Sequence, residues 1–403
     1  MKFKPSLILL CSLVLFTACN NEKKINEHEQ RTHELGLEIQ DCINDVARQK
    51  SQAIDDFIKA IPLEERIAQL FVVNIVGCDT FIPVEENIAG GFLYFSYNIA
   101  DTKSQMISFN KSIFEYCKAN KKIPPFLTVD QEGGYVNRLR TLNTPLPSAE
   151  KVANELTEQE ATTLYKNQAE QMRALGFTMN LAPVTEVCTP DNEQFLMERS
   201  FGSQQKVIAY GAVCINAYES NGIGTVIKHF PGNTNTDPHT GLPEIDWTQQ
   251  ELELQMKPFR ELVKQNPSAV LMSHARVKGY DEKNPACLSK YWVTDVLRND
   301  FGFNGIIFSD DIFMGALADN GYPPEKAVVM AIEAGIDCIM ISEKRIGQSV
   351  QVLIEKAAAD SDFENRLNES VRRILEYKIK CGFLKLELIN GKYELCVNYQ
   401  ESF

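Results

Sequence analysis

Eight short runs of apolar, β-branched and aromatic residues dominate the chain between positions 71 and 342. They are FVVNIV (71–76), GGFLYFS (90–96), PFLTVD (125–130), FTMNLAPV (177–184), GIGTVIKHF (222–230), AVLMSHA (269–275), GIIFSDD (305–311) and DCIMIS (337–342). Most are separated by stretches such as EATTLYKNQAEQMRALG and PEKAVVMAIEAG, whose apolar residues fall three and four apart, as on one face of a helix. Continuous apolar runs alternating with amphipathic helices predict parallel strands buried on both faces, and eight of them predict a (β/α)8 TIM-type barrel, with one catalytic domain. The interval between the first two runs lacks a full helical pattern, so an open doubly wound sheet is the alternative. No GxGxxG or GxxxxGKS segment opens a helix, which weighs against that alternative and against nucleotide enzymes.

Barrels of this kind carry their active sites at the C-terminal ends of the strands. Charged and polar residues gather there: Asp130 after PFLTV, Lys228 and His229 after GTVI, Ser273 and His274 after AVLM, and Asp310 and Asp311 after GIIFS. A buried strand that finishes in a charge needs a partner or a task, because an unpaired buried charge is costly. Two of the five histidines, His229 and His239, fall in one loop-like stretch, KHFPGNTNTDPHTG (228–241), with Asp237 two residues before His239.

Several chemistries are set aside by missing patterns. There is no GxSxG elbow for acyl transfer, and no HExxH or paired CxxC for zinc. Glycoside hydrolysis remains, since it asks for one carboxylate as nucleophile and one acid/base. Asp310 can supply the first. His239 can supply the second, with Asp237 to orient it; the spacing allows such a dyad, although Pro238 between them makes a turn equally compatible.

The segments KHFPG with its following DxH and GLPEID, DQEGGYVNRL (130–139), ERSFG (198–202) and GFNGIIFSDDIFM (302–314) resemble the β-N-acetylhexosaminidases of glycoside hydrolase family 3. The resemblance runs in the same motif order from about Leu63 to Leu384. It implies Asp310 as nucleophile, His239 as acid/base and Asp237 as its partner. It implies further that Asp130, Arg138, Arg199, Lys228 and His229 bind the terminal sugar and its N-acetyl group. The expected activity is exo-acting, retaining release of β-linked N-acetylglucosamine from peptidoglycan fragments or glycans, so the partner is a GlcNAc-containing oligosaccharide or muropeptide. No metal or other cofactor is called for. Phosphorolysis at the same site and a catalytically silent sugar-binding lipoprotein are the other readings. Two departures from the family pattern stand out: the loop after Gly232 is shorter and lacks a usual His, and Glu186 stands where an Asp is usual and stays outside the expected site.

The N-terminus has Lys2 and Lys4, an apolar run from Leu7 to Phe16, and Phe16-Thr17-Ala18-Cys19, similar to a bacterial lipobox. This predicts a signal peptide (1–18), lipidation at Cys19, an anchor and linker with an N-terminal helix (19–55), the barrel domain (56–385) and a C-terminal tail (386–403). A lipid-anchored protein of the cell envelope follows, on the periplasmic or the surface face of the outer membrane. The net charge of -13 and the absence of a basic cluster argue against nucleic acid as a partner, and no obligate protein partner is evident. Nine cysteines follow Cys19 without CxxC pairing; several, such as Cys214 and Cys338, sit in apolar surroundings and read as small buried hydrophobes, with room for one or two disulfides after export.

Overall fold

The computed structural model describes Arg31, His33 and residues 37–85, 88–238 and 241–399. Cys19 and the signal segment lie outside the described residues. The chain divides into two compact units, the larger being Phe57–Lys385 with Leu395–Phe403.

In the larger unit the eight predicted runs form one sheet. Its strands are β1 (Phe71–Asn74), β2 (Gly91–Tyr94), β3 (Phe126–Val129), β4 (Met179–Asn180), β5 (Gly224–Phe230), β6 (Ala269–Met272), β7 (Ile306–Phe308) and β8 (Ile339–Ile341). Neighbours in space follow chain order from β1 to β7, with β8 beside β1. The pairings are parallel, for example Gly91↔Phe126 through Tyr94↔Val129 and Ile306↔Ala269 through Phe308↔Leu271. A parallel bridge between Phe308 and Cys338 joins β7 to the start of β8 and closes the ring. The sheet is therefore a barrel and the open-sheet alternative fails. Phe126 on β3 and Phe308 on β7 meet edge to face across the interior, with ring centroids 6.2 Å apart, so side chains fill the barrel.

Helices stand between the strands: Glu158–Ala174, Gln204–Glu219, Gln249–Leu262 and Pro324–Ala334 where apolar residues fall three and four apart, and Lys103–Asn120 besides. Three of them begin in the same way. Thr102, Thr157 and Thr248 each accept from the backbone N–H three residues on, while Gln105, Glu160 and Glu251 reach back to the cap. Between β1 and β2 the described residues form no helix, as the sequence pattern there predicts.

Strand β5 is the longest, and all seven of its residues are buried. Phe230, at its end, packs edge-on against Phe259, Trp292 and Phe301, with centroids 5.2, 6.1 and 5.8 Å away. This aromatic wedge fixes the strand end that carries Lys228 and His229.

The smaller unit contains a helical segment, residues 37–56, and Leu386–Glu394. The latter is the tip of a hairpin built from Leu384–Ile389 and Lys392–Val397. Asn390 and Gly391 both take left-handed backbone at its turn, as a two-residue hairpin loop requires. Most of the tail expected as a plain extension is thus a folded hairpin. The nine cysteines between residues 42 and 396 form no disulfide with one another.

Candidate active site

The ends of β3 and β5 bring four charged groups together. Lys228 Nζ lies 2.6 Å from Asp130 Oδ1 and 2.6 Å from Glu132 Oε1. Glu132 also accepts two hydrogen bonds from Arg199, Nε to Oε2 at 2.8 Å and Nη2 to Oε1 at 3.0 Å. Burial raises the Glu132 carboxyl, but Arg199 and Lys228 more than offset this and hold it well below the usual carboxylate range. Burial pulls Arg199 and Lys228 downward, and the carboxylates beside them leave both above their ordinary values. Glu132, Arg199 and Lys228 are thereby held in their charged forms, and with Asp130 the set places two acidic side chains against two basic ones. Such a set offers fixed donors and acceptors to the hydroxyls of an uncharged ligand.

Local backbone explains how Glu132 reaches this position. Gln131–Gly133 and Val136–Asn137 form a short antiparallel ladder. Gly133 and Gly134 turn it with positive φ, and a Cβ on Gly133 would stand 2.1 Å from the carbonyl oxygen of Pro147. Arg138 follows this turn: its N–H points at the Asp130 carbonyl at 3.4 Å, and its guanidinium approaches Ser96 Oγ at 3.4 Å. The Nε of Arg138 is buried without a partner among the described residues.

His229 faces a second carboxyl. Its Nδ1 is 2.7 Å from Glu186 Oε1. The edge of Phe195 lies against the imidazole at 5.8 Å between centroids, and Arg199 stacks over the same phenyl ring at 5.4 Å. Glu132 and Glu186 were both missed as site residues in the sequence. One signal for Glu132 was available, since the expected sugar-binding residues set Arg138, Arg199 and Lys228 against the single carboxyl of Asp130.

Asp310 follows β7, is partly exposed and accepts the Asp311 N–H at 2.8 Å. Among the described residues no hydrogen bond links it to the Lys228 cluster, so it remains a separate carboxyl at the same end of the barrel. Asp311 is turned inward. Its Oδ1 accepts from the N–H groups of Phe313 and Ser342, both at 3.0 Å. Burial still raises its carboxyl above the ordinary value, with those hydrogen bonds opposing and Asp310 adding to the rise. His274 is fully buried, with Nε2 3.0 Å from the Asp311 carbonyl and Nδ1 3.2 Å from Cys287 Sγ. It supports the Asp310–Asp311 turn from beneath.

The loop after β5 is tied at both shoulders. Asn233 Nδ2 reaches Glu186 at 3.3 Å, Asn235 Oδ1 accepts the Gln194 N–H at 2.8 Å, and Asn235 Nδ2 donates to the Pro190 carbonyl at 2.8 Å. On the far side the Pro238 carbonyl accepts from Ala316 N–H, just beyond the Asp310 turn. Asp237 is exposed on this loop, and its carbonyl accepts the Gly241 N–H at 3.0 Å. His239 lies outside the described residues. Among the described residues no group of three or more His, Cys, Asp or Glu is placed to hold a metal ion.

With this geometry established, comparison with known proteins is decisive. Residues 62–377 match the glycosyl hydrolase family 3 N terminal domain. The chain belongs to glycosyl hydrolase family 3. It falls among the family's β-hexosaminidases. The β-hexosaminidase LpqI of Mycobacterium tuberculosis is 30% identical over 328 residues, covering 78% of this chain and 82% of LpqI. A β-hexosaminidase of Tolumonas auensis is 32% identical over 289 residues, 68% of this chain and 83% of that protein. Among solved structures, a family 3 β-N-acetylglucosaminidase from Paenibacillus sp. superposes with a TM-score of 0.73 at 28% identity, over 80% of this chain. This family 3 chain spans 63% of the length of that Paenibacillus protein.

Proposed function

We propose that this family 3 β-N-acetylhexosaminidase is an exo-acting, retaining enzyme that releases terminal β-linked N-acetylglucosamine from peptidoglycan fragments or glycans. The observation that carries the reading is Asp310, a partly exposed carboxyl at the end of β7, at the same barrel end as the cluster of Asp130, Glu132, Lys228 and Arg199. That cluster and His229 hold the terminal sugar, with Arg138 beside them. Asp310 attacks the anomeric carbon and forms a covalent glycosyl-enzyme while the bond to the aglycone oxygen breaks. His239, oriented by Asp237, protonates the departing oxygen and then takes a proton from the water that hydrolyses the intermediate. Export and lipid attachment at Cys19 would hold the enzyme in the cell envelope, where such substrates occur.

The test is hydrolysis of aryl β-GlcNAc beside aryl β-glucoside by the purified protein, with Asp310→Asn as control and phosphate present or absent. Selective release of GlcNAc, lost in Asp310→Asn, supports the reading. A phosphate-dependent sugar phosphate would assign phosphorolysis instead, and no release from either substrate would sink catalysis altogether.

A further inference from the structure

Glu186 sits in the segment after β4, where it is fully buried, and its partners are lopsided. Oε1 has three nitrogen partners: His229 Nδ1 at 2.7 Å, the His229 backbone N–H at 3.3 Å and Asn233 Nδ2 at 3.3 Å. Oε2 has no partner among the described residues. A buried carboxyl with one oxygen unsatisfied costs free energy, and packing alone is served better by an apolar residue of the same volume. All three partners of Oε1 belong to the strand end and loop base of the proposed sugar site.

We propose that Glu186 is the positioning residue for His229. It fixes the imidazole with the Nδ1 hydrogen aimed at the carboxylate, so that Nε2 is the ring atom left to meet the sugar. Phe195 blocks the ring from the side, which leaves Glu186 to set its rotation and tautomer. The extra methylene relative to Asp gives Oε1 the reach to accept the ring and backbone hydrogens of His229 and the Asn233 amide together. The proposal rests on the sugar-binding reading of this site and adds how its histidine is prepared.

A double-mutant cycle with Glu186→Gln, His229→Gln and the pair together, in the full chain, tests this. For aryl β-GlcNAc, Glu186→Gln is expected to raise KM about tenfold with kcat nearly unchanged, the pattern of an interaction made equally in ground and transition states. In the His229→Gln background the same change is expected to add nothing. Nitrogen-15 NMR of the five histidines should show His229 protonated at Nδ1 in the parent and lose that signature in Glu186→Gln. An equal cost in both backgrounds, or an unaltered His229 tautomer, would overturn the proposal.

Should Glu186→Gln not fold, Glu186→Asp carries the cycle, because it keeps the carboxyl group and withdraws the oxygen. Its KM should then rise only when His229 is present, and a rise without His229 refutes the idea. A parent protein that turns over neither glycoside refutes the proposed function instead. In that case titration of GlcNAc into the labelled protein still decides the role of Glu186: a His229 shift lost in the variant upholds it, and a shift retained there, or none in the parent, overturns it.

Discussion

Lys378 is fully buried, and its Nζ donates to Gln69 Oε1 at 2.6 Å. Around it stand the thiols of Cys117, Cys338 and Cys381, with Glu65 further out. Burial lowers the amine from 10.5 to about 7, the neighbouring groups opposing only weakly. A depression of that size corresponds to about 5 kcal/mol, at about 1.4 kcal/mol for each tenfold change in proton affinity. The sign is fixed by which state holds the proton. Between about pH 7 and about pH 10.5 the unfolded chain binds a proton at this lysine and the native chain does not, so native stability rises with pH across that window; below it, the full penalty remains. Lys378→Met removes the titration and leaves Gln69 Oε1 unpaired, a cost of about 1–3 kcal/mol. Urea unfolding of both proteins from about pH 6.5 to about pH 9.5 should therefore show the variant more stable at the acid end. The difference should shrink by about 1.4 kcal/mol per pH unit above about pH 7 and reverse in alkali. A difference that stays constant over this range would refute the reasoning, because contributions from all other groups cancel in the subtraction.

Glu132→Gln leaves Lys228 its ion pair with Asp130 but takes from Arg199 the carboxylate it is paired with, and urea unfolding near pH 7 should register a loss of about 3–5 kcal/mol. Because its folded carboxyl is held low, Glu132 stabilises the protein above about pH 4.5 and that support fades as pH falls, so the variant should show a shallower acid limb. His274→Ala strips the hydrogen bond from the Asp311 carbonyl; kcat should fall about tenfold or more through misplacement of Asp310, while thermal unfolding shifts by no more than about 1–3 kcal/mol. Asn235→Ala frees the loop from the Gln194 and Pro190 backbone, and KM for aryl β-GlcNAc should rise while unfolding is little changed.

The barrel was legible because strands buried on both faces need unbroken apolar runs, and eight such runs stand between amphipathic stretches. The strand-end charges were legible for the complementary reason: Lys228 and Asp310 interrupt otherwise apolar sequence. Asp130, Lys228 and Arg199 do converge, although the hub joining them is Glu132, beside the turn at Gly133 and Gly134. Glu186 was set aside for being one methylene too long, yet length is what a carboxyl needs to touch both ring and backbone of a residue on another strand. Such a contact has no sequence period. His274, one of the polar residues read at a strand end, is fully buried, and both of its ring nitrogens meet protein groups. The hairpin in the tail had a local signal in Asn390-Gly391, which composition alone does not reveal.

The ring of Phe230, wedged among Phe259, Trp292 and Phe301, directly follows Lys228 and His229, the two residues proposed to hold the sugar. Heat cannot loosen that pair first and the scaffold later, because freeing the strand end means dismantling the densest aromatic packing around it. On warming, then, ligand affinity and the cooperative melt should disappear at one temperature, and a stabilised barrel should extend the working range of the enzyme degree for degree.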